Sequence, residues 1–426
     1  MKYRKISSRT YNLHIIKTKK FKTVTIQMNF KAKTDKLEIT YRNLLINTLC
    51  EACKKYKTKR QMEIATEDLY ELTYQATNYL SGKYNVMCFD ATFLNDKYTE
   101  TGNFEKSVDF LFEIIFNPLL ETSHIGQKFD RNTFDLAYKN LEDSIKTSVE
   151  NPNYYSQIRA LEIMSPNSIH SYRNCGYLED LHEITPAKLY DYYLSMLKRD
   201  IIDIFVIGDI EETRVRRIIG EKVNIRTIKK KSESHFSSMK RTRLLPKTVK
   251  EKKNISQSKL VMGYKLDKTT DFEKRYVLNV LSYILGGAPD SKLFKEVREK
   301  NSLCYSISSS GIALSNILMV KAGISKENFK KTVNLVKKAV KSIAQGSFTE
   351  DDIMRAKVTY MSTIKELEDN PQNLLSMYTG MEYLNSDNIE NRIKKISRVS
   401  KKNIKKLASK LHLDVIYLLE GDCDEE

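Results

Sequence analysis

The sequence predicts an α+β fold in which one domain plan occurs twice, each copy being a mostly antiparallel sheet with helices packed on one face. Three observations predict this. The 426 residues exceed what one hydrophobic core usually serves and suit two domains of about 200 residues each. Each half begins with strands and continues into a run of helices, which is typical of an α+β domain. The halves also end alike, in Val-Ile-Gly-Asp at 206–209 and in an apolar run that reaches Gly421 and Asp422.

The first domain is predicted to cover residues 1–220. Alternating polar and apolar residues predict a strand over 23–30, and apolar residues at helical spacing predict a helix over 38–56. Thr66 and Asp68 form an N-terminal signal for a second, short helix. The remaining elements of this half are two strands, four helices and a closing strand, over 73–80, 84–93, 103–116, 127–149, 154–163, 186–198 and 203–208.

The second domain, residues 256–426, is predicted to repeat this order at a separation of about 210 residues. It opens with a strand over 259–266 and a helix over 272–285, which Gly286 and Gly287 end. The elements that follow are a short helix, two strands, four helices and a closing strand, over 293–300, 303–310, 315–323, 326–344, 349–368, 371–383, 400–410 and 414–421. The repeated order predicts a structural duplication.

A basic segment over 221–255 separates the two predicted domains. From Glu221 to Lys253 it carries twelve Lys or Arg residues against three Glu, including the cluster 229–231. Few of its residues are apolar, so we expect an exposed, mobile linker. A nucleic-acid-binding arm is the alternative, but Phe236 is its single aromatic residue, whereas such arms interleave aromatic and basic residues.

The composition favours a cytoplasmic protein with no membrane span. No secretory signal follows Met1, and no apolar run reaches about 18 residues. The net charge of +18 would attract an acidic partner, although Lys residues spread along the whole chain equally fit a solvated basic surface. Cys50 and Cys53 form the one C-x-x-C pair, and without a second ligand pair they are expected to be incidental helix cysteines.

The most informative stretch of the chain runs from 292 to 306, with the sequence KLFKEVREKNSLCYS. Together with the preceding Gly286-Gly287, it resembles the C-terminal-domain motif of the M16 (pitrilysin-like, inverzincin) peptidases. The resemblance implies two such domains that form a clamshell around a peptide. It also implies that Arg298 holds the substrate backbone and that the Tyr305 hydroxyl hydrogen-bonds the oxyanion of the tetrahedral intermediate. The structural alternative is an exposed helical arginine and a packed strand tyrosine.

The zinc motif of that family, H-x-x-E-H, does not occur anywhere in the chain. The corresponding helix is expected to include 41–56, where Asn43 and Asn47 replace the two histidines and Ile46 replaces the glutamate. Neutral amides bind Zn²⁺ poorly, and isoleucine cannot accept a proton. None of the six histidines is paired with another at a spacing of three or four residues. We therefore expect no metal and no cofactor in this chain.

Three carboxylates, Glu142, Asp143 and Glu150, lie where a third metal ligand could fall on a long predicted helix. Without the two histidines they are expected to be solvated helix carboxylates. The four acidic residues of the C-terminal tail, at 422 and 424–426, are too few to predict a cation site.

The resemblance implies a non-catalytic subunit of a heteromeric M16B-type zinc peptidase. In such a heterodimer, an H-x-x-E-H-bearing homologue would hold the zinc, and this chain would contribute Arg298, Tyr305 and part of the chamber for short peptides. In isolation the chain could form a homodimer. The alternative function is a catalytically dead scaffold or peptide-binding protein. A nucleic-acid-binding protein, which would show steep salt dependence, ranks last, so neither nucleic acid nor membrane is an expected partner.

Overall fold

The computed structural model describes residues 1–123, 126–223 and 233–421. Parts of the basic segment, including Lys229 to Lys231, and the acidic tail lie outside the described residues. The chain forms two compact units, the first made of 1–147, 173–235 and 367–385, and the second made of 148–172, 236–366 and 386–426. Each unit therefore includes one helical segment from the other half of the sequence.

The first unit is built on a six-stranded sheet with the order β1-β2-β8-β3-β5-β4. The strands β2 and β8 are parallel, and every other neighbouring pair in this sheet is antiparallel. A separate hairpin, β6 with β7, follows. The strands up to this point are β1 (Lys2–Ser7), β2 (Tyr11–Lys17), β3 (Thr23–Lys33), β4 (Thr73–Ser81), β5 (Tyr84–Leu94), β6 (Leu120–Ser123), β7 (Gly126–Phe129) and β8 (Ile201–Gly208).

The second unit has a five-stranded sheet with the order β9-β13-β10-β12-β11. Its strands are β9 (Lys247–Lys253), β10 (Ser258–Leu266), β11 (Cys304–Ile312), β12 (Ile317–Ile324) and β13 (Leu411–Gly421). In this sheet β9 and β13 are parallel and the other pairs are antiparallel. The order and the directions match β2-β8-β3-β5-β4 strand for strand, with β1 as an addition. The predicted duplication of a mostly antiparallel α+β plan is confirmed.

The helices cover most of the remaining described residues. The α-helices are α1 (Lys36–Glu51), α2 (Lys59–Glu67), α3 (Asn103–Phe116), α4 (Arg131–Glu150), α5 (Pro152–Met164), α6 (Leu178–Leu181), α7 (Pro186–Arg199), α8 (Glu212–Lys222), α9 (Leu278–Ser282), α10 (Phe329–Gln345), α11 (Glu350–Glu366), α12 (Pro371–Leu384), α13 (Ile389–Ser397) and α14 (Lys401–Ala408). Two π-helical turns, Glu273–Val277 and Tyr283–Gly287, flank α9, and a third is Phe294–Glu299. None of the described helices is long and apolar enough to cross a membrane.

Helices lie on both faces of each sheet, whereas the sequence predicted one face. In the second unit α9, α10 and α14 pack on one face, around Leu260 and Leu418. The opposite face packs against α5 through Ala160 and Met164, which contact a cluster that includes Val261. In the first unit α12 lies against β3 and β8. Because α5 and α12 come from the other half of the sequence, each crosses over to cover the second face.

Three local predictions are wrong. The short second helix does not begin at Thr66, because the Thr58 side chain caps α2 by accepting a hydrogen bond from the Gln61 amide, and the helix ends at Glu67. The helix predicted from 127 begins at Arg131, after a hairpin. The linker prediction fails over 247–253, which is an edge strand, β9, paired with β13.

A buried aromatic stack holds the middle of the basic segment against the first unit. His235 is fully buried and lies between the rings of Tyr84 and Tyr383, with centroid distances of 4.5 and 4.7 Å. Its Nδ1 is 2.8 Å from Ser81 Oγ. Burial, together with the nearby Lys31 ammonium, lowers the pKa of His235 to about 3. The imidazole is therefore neutral in the folded chain at neutral pH.

We expect His235 to make the first unit less stable as the pH falls from about 6.5, the usual histidine pKa of an unfolded chain, towards 3. In that range the unfolded state binds a proton that the folded state does not bind, so about 1 kcal/mol of stability is lost per pH unit. His235→Phe should keep the stack but abolish this dependence of stability on pH. Denaturant unfolding at pH 7 and at pH 5 measures the difference. His182→Phe, at an exposed histidine, should retain the wild-type slope; equal slopes for His235→Phe and wild type would contradict the account.

Candidate functional site

The helix predicted to correspond to the family's zinc helix is α1, and its side chains do not suit a metal. The Asp35 carboxylate caps its start by accepting hydrogen bonds from the Leu37 and Glu38 amides. One turn apart on this helix lie Asn43 and Asn47, where the zinc motif has histidines. Ile46 is 5% exposed and packs in the core. A buried aliphatic side chain cannot serve as the general base, and neutral amides are poor zinc ligands.

The three carboxylates at the position of a possible third ligand lie on the surface of α4. Glu142 lies 3.1 Å from Lys146 Nζ and 3.8 Å from His182 Nε2, and Asp143 and Glu150 are exposed on α4. The residues of α1 and α4 thus do not fit a zinc ion.

Among the described residues, one group offers three ligand atoms close enough for a metal: His14, Asp203 and Glu382. It does not involve α1. Lys31 Nζ lies 3.3 Å from Asp203, and Lys5 Nζ lies 2.6 Å from Glu382. Because each carboxylate already faces an ammonium group, the charge of this cluster is balanced without a metal. We interpret it as a structural ion-pair network.

A loop that includes Asn174 and Gly176 lies where α1 meets the edge of the first sheet. The Asn43 side chain donates hydrogen bonds from Nδ2 to the carbonyl oxygens of Ile39 and Asn174, both at 2.9 Å. The Asn174 side chain accepts a hydrogen bond from the Leu80 amide and donates one to the Asn78 carbonyl, both at 3.0 Å. Since β4 is the edge strand, Asn174 bonds to its backbone as a neighbouring strand would. The loop thus occupies this part of the strand edge beside the altered motif.

Gly176 lets this loop approach α1. It has φ +87, and a Cβ there would lie 2.8 Å from Thr40 Oγ1 and 3.1 Å from Thr40 Cα. The Thr40 hydroxyl accepts a hydrogen bond from the Tyr177 amide at 3.1 Å. The positive φ and the short distance both favour glycine at this position.

We expect Gly176→Ala to lower the free energy of unfolding by about 1–3 kcal/mol, because alanine adds backbone strain and a clash with Thr40. Gly102→Ala is a matched control, since Gly102 has φ +98 but no atom lies within 4 Å of the position that an alanine methyl would occupy there. It should cost about 1 kcal/mol, the strain alone. Equal losses of unfolding free energy in Gly176→Ala and Gly102→Ala, measured by denaturant unfolding, would mean that the contact with Thr40 does not constrain the loop.

The two residues predicted for the other half of the site lie together in the second unit. Arg298 is in the π-helical turn Phe294–Glu299, and Tyr305 is near the start of β11. The Arg298 guanidinium carbon is 4.5 Å from the centre of the Phe294 ring and 5.5 Å from that of Tyr305. The arginine side chain therefore stacks beside both rings, which limits its conformational freedom.

Tyr305 is held outward by an irregularity in the strand. The pairing of β11 with β12 shifts between Cys304 and Ser306, so Tyr305 is the extra residue of a β-bulge. Its side chain is 78% exposed, which contradicts the alternative of a packed strand tyrosine. No hydrogen bond or ion pair joins the Arg298 guanidinium or the Tyr305 hydroxyl to another described side chain or backbone group.

A cavity of about 590 Å³ opens beside Tyr305, at the end of the second sheet. Hydroxyl and amide groups dominate its walls, among them Ser256, Gln257, Ser302, Ser325 and Asn328. Cys304 also lines it, and burial raises the pKa of this thiol. The free thiol is thus protonated at neutral pH, and the cavity offers mainly neutral hydrogen-bonding groups to a ligand.

The sequence identified Arg298, Tyr305 and the altered motif at Asn43, Ile46 and Asn47. It did not identify Asn174, although Asn-Cys-Gly at 174–176 is a turn signal, because its partners are more than 90 residues away along the chain. The stacking of Arg298 on Phe294 was also missed. A spacing of four residues on a helix is the one sequence signal for that contact.

Comparisons with known proteins point to one family. A family model described as "Peptidase M16 inactive domain" matches residues 183–360. The chain is 29% identical over 413 residues to the "Probable inactive metalloprotease YmfF" of Bacillus subtilis (strain 168), covering 96% of this chain and 95% of that protein.

Solved structures agree with this assignment. A conserved protein from Enterococcus faecalis V583 superposes with a TM-score of 0.92 and 26% identity, over 100% of both chains. The peptidase M16 inactive domain from Pseudomonas fluorescens has a TM-score of 0.77, covering 100% of this chain and 99% of that one, and at 14% identity it supports the fold alone. Over nearly its whole length the chain is thus similar to inactive M16-type peptidases, and it lacks the H-x-x-E-H zinc motif.

Proposed function

We propose that this chain is the non-catalytic subunit of a heteromeric M16B-type zinc peptidase and that it contributes Arg298 and Tyr305 to the site of an H-x-x-E-H-bearing partner. One observation carries the proposal. The two side chains are positioned together and lack hydrogen-bond partners among the described residues, while α1 has lost the residues that would hold a metal. Because neither polar group is used within the described residues, both are available to a partner or a substrate.

The Tyr305 hydroxyl would stabilise negative charge that develops on the carbonyl oxygen of the scissile bond. A phenol is a hydrogen-bond donor, and the bulge of β11 holds it in solvent rather than in the core. A donor fixed in place before the reaction costs no reorganisation when the charge develops. The zinc ion, its ligands and the general base would belong to the partner subunit.

The Arg298 guanidinium would hold the peptide backbone beyond the scissile bond. Stacking against Phe294 leaves the N–H groups at the edges of the guanidinium plane, where they can donate to carbonyl oxygens. The walls of the cavity beside Tyr305, which also include Lys326 and Glu327, add hydroxyl and amide groups that suit a peptide backbone. Short or unfolded peptides are therefore the proposed substrates.

The test combines this chain with an H-x-x-E-H homologue from the same genome. Each chain alone and the mixture are assayed with a library of fluorogenic peptides, co-elution is measured by size-exclusion chromatography, and zinc is quantified on each subunit. We expect activity in the mixture alone, with zinc on the other chain. Zinc and activity in this chain alone, or no co-elution and no added activity in the mixture, would contradict the proposal.

A catalytically dead scaffold or peptide-binding protein is the second candidate. The loop that carries Asn174 favours it, because that loop bonds to the β4 edge beside α1 and so leaves less strand edge for a peptide in the first unit. The similarity to a protein named as a probable inactive metalloprotease also supports this function. Under this alternative, a complex with the homologue could form, but substitutions at Arg298 and Tyr305 would leave its turnover unchanged.

A further inference from the structure

A second cavity, of about 390 Å³, lies in the first unit between the sheet and α12. Alternate residues of β4 form one wall, since side chains two apart share a face of a strand; they are Gln75, Thr77, Tyr79 and Ser81. One face of α12 forms the opposite wall, with Gln372, Ser376, Thr379 and Tyr383. Among the described residues that line it, Asp90, on β5, is the single charged one. Its lining includes neither Arg298 nor Tyr305 and no residue of α1.

The Asp90 carboxylate is buried without a compensating cation. It is 5% exposed, and its Oδ1 accepts hydrogen bonds from Gln75 Nε2 at 3.2 Å and Gln372 Nε2 at 3.0 Å. No Lys, Arg or His among the described residues forms an ion pair with it. Burial raises the pKa of this carboxyl, although the two glutamine amides oppose the shift. Burying an unpaired charge costs free energy that a cationic ligand would recover.

Two glutamines of the lining have already used their amide N–H groups. Gln27 Nε2 donates to Asn29 Oδ1 and to Cys88 Sγ, both at 3.0 Å. Gln372 Nε2 donates to Asp90 and, at 3.4 Å, to Thr92 Oγ1. The N–H groups of these two amides are thus used, and their carbonyl oxygens are left to accept.

Thr379 supplies a further unsatisfied group in the same wall. Its side chain is 7% exposed, and Oγ1 has no hydrogen-bond partner among the described residues. A buried hydroxyl without a partner is costly, and Thr379 is one of the residues that line the same cavity as the unpaired carboxylate. The lining therefore combines one negative charge with several amide and hydroxyl side chains.

We propose that this cavity binds the guanidinium group of an arginine side chain in a peptide. A guanidinium has five N–H donors, no acceptor and a permanent positive charge, which complements one carboxylate surrounded by acceptors. The cavity is more than ten times the volume of about 30 Å³ that one water occupies, so it suits an extended group better than a bare cation. The inference rests on the proposed function only in taking a peptide as the source of the guanidinium.

The test is calorimetric titration of this chain alone with acetyl-Ala-Ala-Arg-Ala-Ala-amide and with its citrulline analogue, which has nearly the same shape but no charge. We expect saturable binding of the arginine peptide and binding at least about tenfold weaker for the citrulline peptide. Asp90→Asn should weaken binding of the arginine peptide by at least about tenfold as well. Asp191→Asn, at an exposed carboxylate on α7, should leave it unchanged.

Equal affinities for the two peptides, unchanged affinity in Asp90→Asn, or no saturable binding at about millimolar peptide would overturn the proposal. Ethylguanidinium is titrated in parallel. If it binds as tightly as the arginine peptide, the claim that the guanidinium belongs to a peptide is overturned. Asp90→Asn should fold, because it removes an unpaired buried charge, and thermal unfolding checks this. The assay needs no partner subunit, so its failure is distinguishable from failure of the shared peptidase site.

Discussion

Tyr305→Phe in this chain should lower the turnover of the mixed complex by about 10²–10³-fold while leaving its assembly intact. Removing one preorganised donor to a developing oxyanion typically costs that much. The substitution deletes the hydroxyl alone, and since Tyr305 is 78% exposed, we expect no loss of stability. Turnover of a fluorogenic peptide at saturating substrate measures the effect, because an interaction made only in the transition state lowers kcat with little change in KM.

Arg298→Ala should act differently on the same complex. Since the guanidinium is proposed to hold the substrate backbone, its loss should raise KM and lower kcat/KM by about 100-fold through misplacement of the peptide. Tyr98→Phe and Arg398→Ala, at exposed positions elsewhere in the chain, are matched controls and should be neutral. Unchanged kinetics in both site variants, with assembly intact, would favour the scaffold function.

Arg42→Leu should cause the largest loss of stability, about 3–5 kcal/mol, because the buried Asp200 carboxylate loses its fully buried partner and keeps a longer contact, of 3.4 Å, with Arg199 Nε. Arg42 is fully buried on α1, and its guanidinium donates to the Phe30 carbonyl at 3.2 Å and to the Asp200 carboxylate. These bonds join α1 to the sheet and to the end of α7. Denaturant unfolding of the variant and the wild type measures the loss.

Two further variants test the reason for this loss. The double variant Arg42→Leu/Asp200→Asn removes the buried negative charge of Asp200 together with the arginine, so it should be more stable than Arg42→Leu alone. Arg131→Leu breaks an exposed pair, in which Arg131 Nε lies 2.8 Å from Asp135, and should cost no more than about 1 kcal/mol. A loss in Arg42→Leu as small as that in Arg131→Leu would show that the buried pair does not hold α1.

Most of the fold could be predicted from local patterns. The strands β3, β4, β5, β10 and β12 and the helices α3 and α7 have clear periodicity, and their predicted bounds agree closely with the structure. The edge strand β9 was missed because its sequence, KTVKEKK, is too charged to resemble a strand, although Lys on an edge strand limits unwanted pairing. The strand β1, with the sequence KYRKIS, was missed for the same reason, because it is also rich in basic residues.

What could not be predicted depends on contacts between distant residues. Nothing in the sequences of α5 and α12 indicates which sheet each will cover, because an apolar helix face can pack on any sheet. The same holds for the Asp90 cavity, whose three glutamines come from β3, β4 and α12. Arg298 and Tyr305, by contrast, are seven residues apart, so a local motif was enough to find them.

The most direct test of the shared-site account is to replace Tyr305 with the photo-crosslinking residue p-benzoylphenylalanine in the assembled complex. After irradiation, mass spectrometry identifies the crosslinked segment. The account predicts crosslinks to the H-x-x-E-H helix of the partner or to a bound substrate peptide. A complex that assembles but crosslinks at Tyr305 to some other surface of the partner would contradict it.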